Sequence, residues 1–139
     1  MERRTCYRIG MRYLGIDYGT KRVGVAVSDP TAKFALPLSV VANTSDLVAE
    51  IEKIALDNEV AEIVIGESRQ YDMSANAILP AILAFKEALE ARGLRTRLEL
   101  EFMTSVQAER FQGKNGKTDA SAAALILQSF LDRDTKETL

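Results

Sequence analysis

The hydrophobic and polar positions of this 139-residue chain follow the period of β-strands at first, and helical and strand periods then take turns. From Tyr13 to Val41, apolar side chains alternate with small or polar ones, which is the period-two pattern of β-strands. Turn residues divide this stretch into three predicted strands, over 13–17, 23–28 and 34–41. Pro37 favours an edge position for the third strand, because proline has no N–H to donate to a neighbour. Strands this close in sequence are expected to form an antiparallel meander.

Beyond residue 44 the period becomes that of a helix. Leu47 and Ile51 recur on one side, so a first helix is expected behind Thr44 or Ser45 as its N-cap. A short apolar strand of the buried, parallel kind is then expected over 62–66.

A second, longer helix is expected to begin around Ala77, because Pro80 is tolerated only in a first turn. Gly93 is its expected C′ residue. Three further elements complete the pattern: a fifth strand over 95–102, a short helix over 105–111, and a last helix from Thr118, its N-cap, to about Leu131.

This order of elements predicts an α/β domain with the ribonuclease H-like fold. Its five-stranded mixed sheet would have three antiparallel plus two parallel strands, flanked by helices. The domain is expected to cover residues 11–139. Residues 1–10 are polar and basic, unlike the rest of the chain, and are expected to be a disordered N-terminal extension.

Composition narrows the chemistry that this domain can perform. With 47% hydrophobic and 27% charged residues, the chain can bury the core of one domain. It has no membrane-spanning apolar run and no secretory leader, so a cytoplasmic location without a membrane partner is expected. Histidine is absent and Cys6 is the only cysteine, which excludes histidine-based triads and thiolate or imidazole zinc sites. Carboxylates, hydroxyls, Lys, Arg and oxygen-bound hard metal ions remain.

The net charge of the chain disfavours permanent binding along a nucleic acid. The formal net charge is −2, which disfavours a tight, permanent coat of nucleic acid. A transient nucleic-acid enzyme is still compatible with this value, because it needs only a local basic rim around an acidic centre.

Asp17 is the first candidate for chemistry. It ends the first strand and opens the run Asp17-Tyr18-Gly19-Thr20-Lys21-Arg22. The carboxylate could hold Mg²⁺, while the turn's backbone and Lys21 or Arg22 neutralise phosphate oxygens. The alternative is an ordinary aspartate that starts a turn.

Asp119 is the second candidate. It falls in the first turn of the last helix, on the side that carries Ala122, Ala123, Ile126 and Phe130. An aspartate here could simply complement the helix dipole, but that role is served equally well from the solvent side. An acid on the apolar side is better placed to meet another group, so we favour a functional role.

Glu67 and Glu101 compete for a third position. Glu67 comes after the fourth strand at its carboxyl end, where sites of parallel sheets lie, or is a polar residue of a loop. Glu101 shares a side of the fifth strand with Glu99, and its alternative is a plain solvent-facing glutamate. Three converging carboxylates would repel one another and raise their pKa values. Two Mg²⁺ or Mn²⁺ ions would relieve this repulsion and activate a water.

A glycine-rich basic segment precedes Asp119. It contains Lys114 and Lys117 and is expected to be flexible. It either grips a nucleic-acid backbone or is a solvated linker, and the sequence favours neither.

Two stretches, over 13–30 and 119–131, carry a family resemblance. Together they make the chain, from Met11 to Asp132, resemble the YqgF/RuvX family. Members of that family are Holliday-junction-resolvase-like nucleases with a ribonuclease H-like fold, implicated in processing the small-subunit ribosomal RNA precursor. The aspartates of the family's first strand and last helix, its expected metal ligands, match Asp17 and Asp119.

The middle of the chain departs from the family pattern. Gly66-Glu67-Ser68 stands where the family usually has Gly-Leu-Pro. Leu100-Glu101-Phe102-Met103-Thr104-Ser105 stands where it has Asp-Glu-Arg-hydrophobic-Thr-Thr. The match therefore favours Glu101 as third ligand, whereas Phe102 replaces an arginine and removes a phosphate contact. An acid does end the fourth strand in related junction resolvases, so Glu67 is kept as a fourth ligand or a replacement.

The resemblance implies a metal-dependent nuclease that uses Mg²⁺ or Mn²⁺. Its expected ligands are Asp17, Glu101 and Asp119, with Glu67 in reserve. The residues expected to contact phosphate are Thr20, Lys21, Arg22, Lys114 and Lys117. The expected partner is nucleic acid, either an RNA precursor or branched DNA, and a homodimer is left open. The alternatives are a Holliday junction resolvase acting on branched DNA and a non-catalytic nucleic-acid-binding module on the same fold.

Overall fold

A computed structural model describes residues 12–66, 75–99 and 119–138. In these ranges the chain forms five strands and three helices, in the following order: β1 (Arg12–Asp17), β2 (Arg22–Ser28), β3 (Ala35–Ala42), α1 (Leu47–Asp57), β4 (Val60–Gly66), α2 (Ala75–Ala91), β5 (Thr96–Leu98) and α3 (Asp119–Thr138). The strands form one sheet in the order β3-β2-β1-β4-β5. β2 is antiparallel to β1 and β3, whereas β4 is parallel to β1 and β5 is parallel to β4. The predicted mixed sheet is confirmed.

Helices cover both faces of the sheet. Alternate residues of each strand point to opposite sides, so the central strands contribute to two separate cores. The first core packs β1, β2 and β4 against α1 and α2: Leu14, Ile16, Val23, Val25, Ile63, Ile65, Leu47, Ile51, Ile82, Phe85 and Leu89. The second packs the opposite face against α3: Ala26, Val64, Ala123, Ile126, Leu127, Phe130 and Leu131. The apolar side predicted for the last helix is therefore confirmed.

The ends of the helices correct several expectations. Helix α2 begins at Ala75, two residues earlier than expected, so Pro80 falls in its second turn rather than its first. Pro80 is exposed, and its missing N–H leaves one helical hydrogen bond unmade without breaking the helix. The N-cap position of α1 is Asp46, not Thr44 or Ser45. The hydroxyl of Thr44 instead accepts the N–H of Asp46 at 3.1 Å.

Gly93 ends α2 as expected. Its φ of +87° is in the left-handed region, which glycine adopts at little cost. The N–H groups of Gly93 and Leu94 donate to the carbonyls of Glu90 and Leu89, respectively, which is the Schellman pattern.

Two predicted elements differ in length from those found. Of the fifth strand, expected over 95–102, the structure describes 95–99 and assigns Thr96–Leu98 as strand, and α3 continues past Leu131 to Thr138. The expected extension over 1–10, the helix over 105–111 and the cap at Thr118 lie outside the described residues.

The outer edge of β3 is protected against pairing with another strand. The side chain of Gln128 in α3 takes the place of a neighbour: its Oε1 accepts the N–H of Ala35 and its Nε2 donates to the carbonyl of Lys33, both at 2.9 Å. Pro37 has no N–H there, which confirms the predicted edge position. The protection matters because four large apolar side chains are exposed along this edge: Phe34, Leu36, Leu38 and Val40.

Replacing Gln128 by alanine should expose this edge. We expect Gln128→Ala to lower the free energy of unfolding in urea by about 1 kcal/mol, because two backbone hydrogen bonds are lost. Sedimentation should also show stronger self-association. The matched control is Asp132→Ala, which removes another partner of Gln128 (3.0 Å) but leaves both contacts to β3. Equal self-association of the two variants would contradict this role.

Helix α3 lies directly on the backbone of the two central parallel strands, at two glycines. A Cβ placed on Gly15 would be 2.7 Å from the Cβ of Leu127 and 2.9 Å from the carbonyl oxygen of Ala123. A Cβ on Gly66 would be 3.0 Å from Cγ2 of Ile126. The Gly15 contacts are too short to be tolerated, so a side chain there would push the helix away. At Gly66 a Cβ would first meet the carbonyl oxygen of Glu99, at 2.7 Å, and would press only slightly on Ile126.

The Gly15 contact can be tested by adding one methyl group. We expect Gly15→Ala to lower the free energy of unfolding by about 1–3 kcal/mol, because the helix must shift to admit it. Urea denaturation followed by circular dichroism measures the change. Ala84→Val adds two methyl groups on the exposed side of α2 and should change stability by no more than about 0.5 kcal/mol. Wild-type stability of Gly15→Ala would show that α3 is not seated as described.

Candidate functional site

Three parallel strands end at the same edge of the sheet. Asp17, the last residue of β1, pairs with Gly66, the last residue of β4. The N–H of Glu99 donates to the carbonyl of Ile65 at 2.7 Å, which places Glu99 beside Gly66 on the other side. Neighbouring strands are about 4.8 Å apart, so the Cα atoms of Asp17 and Glu99 are separated by roughly 10 Å. The carboxyl edge of parallel strands is where α/β sheets usually bind ligands.

Asp17 is the buried acid of this edge, with 6% of its surface exposed. It lies two residues after Gly15 and therefore on the α3 face of the sheet. Its neighbour Tyr18 faces the other side, where its ring centroid is 5.2 Å from that of Phe85, and the N–H of Tyr18 donates to Gly66. A carboxylate held in such surroundings needs hydrogen bonds or cations to keep its charge.

The turn after Asp17 is fixed from outside by Asn43. The side-chain amide of Asn43 donates to the carbonyl of Gly19 at 2.7 Å, and its backbone N–H donates to Lys21 at 3.0 Å. Gly19 is required here, because a Cβ would lie 2.5 Å from the carbonyl oxygen of Arg22. The turn therefore presents three exposed residues beside Asp17: Thr20, Lys21 and Arg22.

The direction of α3 brings its first residue to the same edge. The carbonyl of Ala123 lies over Gly15, and the ring centroids of Phe130 and Tyr13 are 5.4 Å apart, so α3 crosses β1 with its earlier residues towards the carboxyl end of the strand. Position 119 is one helical turn before Ala123, a rise of about 6 Å. Asp17 is two residues beyond Gly15, or about 7 Å along the strand. The backbone therefore places the start of α3 level with Asp17.

The remaining candidates lie outside the described part of the chain. This holds for Glu67, Glu101, Lys114 and Lys117, and for the carboxylate of Asp119. Among the side chains that the structure does describe, no three acids, histidines or cysteines gather as metal ligands. The choice between Glu67 and Glu101 as third ligand therefore stays a prediction. The described donor, a carboxylate at the sheet edge, is of the kind that Mg²⁺ prefers.

Sequence reasoning missed two residues of this region. Asn43 was not singled out, although an Asn just after an apolar strand is a common turn residue. Glu99 was noted only as a neighbour of Glu101 on a polar side, yet it is buried, with 4% of its surface exposed. Both of its carboxylate oxygens accept from Arg133 of α3, through Nη1 and, at 2.6 Å, Nη2. The only signal in the sequence is that Arg133 comes three positions after Phe130 and so flanks the helix's apolar side.

The mixed sheet and the helices on its two faces are those of the ribonuclease H-like fold class. A family model described as "RuvX: Holliday junction resolvase" matches residues 11–133. The chain therefore belongs to the RuvX family and is a hydrolase of the nuclease kind.

Relatives in several bacteria support the assignment. A protein of Nitratidesulfovibrio vulgaris is 38% identical over 133 residues, covering 88% of this chain and 94% of the relative. One of Anaeromyxobacter sp. is 39% identical over 134 residues, covering 88% and 97%. One of Lachnospira eligens is 34% identical over 140 residues, covering 91% and 100%. All three bear the name "Putative pre-16S rRNA nuclease".

Solved structures confirm the fold. Thermus thermophilus RuvC in complex with a Holliday junction superposes with a TM-score of 0.53, at 16% identity, and covers 86% of this chain and 91% of RuvC. A second structure of T. thermophilus RuvC gives a TM-score of 0.51. Identities this low establish the architecture alone. In the parts of the chain that are described, no helix has both the length and the apolarity needed to cross a membrane.

Proposed function

We propose that this chain is a divalent-metal-dependent nuclease that acts in the cytoplasm, near the 5′ end of the small-subunit ribosomal RNA precursor. The observation that carries the proposal is the position of Asp17. Its buried carboxylate ends the central strand, level with the start of α3, beside a turn that exposes two cations. An acid next to cations at a sheet edge suits a phosphodiester that is held through a metal ion.

The proposed ligands of Mg²⁺ or Mn²⁺ are Asp17, Glu101 and Asp119, with Glu67 in reserve. The chemistry that such ions supply is activation of a water and neutralisation of the leaving oxygen. The chain's own contribution is positioning. Asp17 is fixed by its strand and by the burial around it, so its oxygens have little freedom to follow a misplaced ion.

Phosphate recognition is proposed for the turn after β1. Thr20, Lys21 and Arg22 are exposed, and Asn43 holds the backbone of the turn in place. A hydroxyl, an ammonium and a guanidinium can each donate to phosphate oxygens. Lys114 and Lys117 would add contacts from the segment before α3.

An RNA substrate is favoured over branched DNA by the names of the relatives, which cover 87–91% of this chain at 31–39% identity. The description of the family model favours a Holliday junction instead. A third candidate, a binding module without catalysis, is less well supported, because binding a nucleic-acid backbone does not require a buried acid among the cations.

Removing the charge of Asp17 tests the proposal. We expect Asp17→Asn to lower Mn²⁺- or Mg²⁺-dependent cleavage by about a hundredfold or more, since metal-based charge stabilisation amounts to several kcal/mol. Cleavage is measured on a labelled RNA that carries the precursor's 5′ extension and, in parallel, on a four-way DNA junction. The unfolding midpoint of the variant should stay close to that of the wild type.

The matched control is Asp57→Asn, which makes the same change in charge at an exposed ion pair with Lys53. It should cut as the wild type does. Equal cleavage by Asp17→Asn and wild type would refute the assignment of the site. Cleavage of the junction but not of the RNA would move the substrate to branched DNA. Retention of RNA in EDTA, with no cleavage under any divalent ion, would favour the binding module.

A further inference from the structure

Glu99 and Arg133 form an ion pair between the sheet edge and α3. The side chain of Glu99 is 3% exposed, whereas that of Arg133 is 54% exposed. The contact is bidentate, with each carboxylate oxygen accepting from a different nitrogen of the guanidinium. Such a fork fixes orientation as well as distance, which a single hydrogen bond or an apolar contact does not.

A contribution to stability does not by itself explain why this ion pair is present. Moving a carboxylate out of water is costly, and apolar residues of similar size often replace a buried ion pair without loss of stability. The placement of α3 on the sheet is a better explanation. The contacts of α3 with Gly15 and Gly66 are packing contacts, which lack the directionality of a hydrogen bond. The hydrogen bonds of Gln128 with Ala35 and of Arg133 with Glu99 are, in contrast, directional.

The pair connects the elements that carry the proposed ligands. Glu99 lies in the same row as Asp17 and Gly66, two positions before Glu101 in the sequence. Arg133 lies on the same continuous helix as Asp119, 14 residues or about 21 Å further along. A rigid helix transmits a rotation or a shift at one position to the other.

We infer that Glu99 and Arg133 are positioning residues: their ion pair sets the rotation and the axial position of α3, and so where Asp119 stands relative to Asp17. The inference rests on the proposed metal site. Neither residue needs to touch the metal or the nucleic acid. The pair holds α3 in the position on the sheet at which Asp119 and Asp17 can bind the same ion.

Mn²⁺ binding to the full chain, measured by electron paramagnetic resonance without nucleic acid, tests this role. Glu99→Gln combined with Arg133→Gln removes both charges and leaves a polar side chain at each position, of unchanged size at 99 and shorter at 133. We expect the dissociation constant for Mn²⁺ to rise about tenfold, as is usual when the groups that orient metal ligands are lost. The unfolding midpoint should change little, because no unpaired buried charge is left behind.

The matched control is Glu52→Gln with Arg92→Gln. This pair joins α1 to the residue after α2 and does not involve α3. It should leave Mn²⁺ affinity unchanged. Arg133→Lys keeps the charge but loses the fork, so it should weaken Mn²⁺ binding less than the double variant. If the double variant does not fold, Arg133→Lys is measured in its place. Wild-type affinity of Arg133→Lys for Mn²⁺ would then refute the inference.

Two outcomes distinguish this inference from the proposed function. If the wild type binds no Mn²⁺, or Asp17→Asn binds it as well as the wild type, the metal site itself is refuted and the positioning role with it. If Asp17→Asn loses Mn²⁺ while the Glu99 and Arg133 double variant binds it as the wild type does, only the positioning role is refuted.

Discussion

The close approach of α3 to the backbone of β1 and β4 is the contact on which the described site depends. Gly15 and Gly66 have no side chain, so Leu127 and Ile126 rest on the strands themselves. The helix can therefore bring its first turn level with the ends of the strands, where Asp17 lies. With a larger residue at position 15, α3 would stand further from the sheet and its acid further from that of β1. The glycines thus affect the site although neither has a functional group.

Two buried carboxylates lie in one row at this edge, and the chain treats them differently. Glu99 is matched by Arg133, which satisfies both of its oxygens and makes the pair a structural joint. Asp17 lies beside a turn whose cationic side chains are exposed to solvent. A carboxylate committed to an arginine fork is not available to a metal ion, whereas an acid next to solvent-exposed cations suits exchange of ions and phosphates.

At the β3 edge of the sheet, a polar side chain protects the fold against pairing with another strand. Edge strand β3 exposes a row of large apolar side chains and would be a hazard if its backbone were open to pairing. Gln128 closes part of that edge from α3, and Pro37 removes a donor further along. The same helix that bears Asp119 therefore also shields the edge, which makes its placement important for solubility as well as for the site.

Most of the fold could be predicted from the sequence, because strand and helix periods are local properties of the chain. Alternation over 13–41 and the helical spacing after it predicted the correct order of the described elements, and Asp17 was correctly expected at the end of a strand. The ends of elements were less predictable. α2 starts two residues before the position that Pro80 suggested, because one missing hydrogen bond in a second turn is tolerated when the apolar side of the helix is buried.

What the sequence determined by itself was which residues share a side of each element, since side-chain direction results from backbone period. Only the tertiary structure decided which sides are covered, and by what. Glu99 was expected only to share the polar side of the fifth strand with Glu101, but Arg133 of α3, 34 residues away, pairs with it. Asn43 likewise acts on a turn 24 residues before it. Contacts over such separations depend on how the elements pack, and no local period encodes that packing.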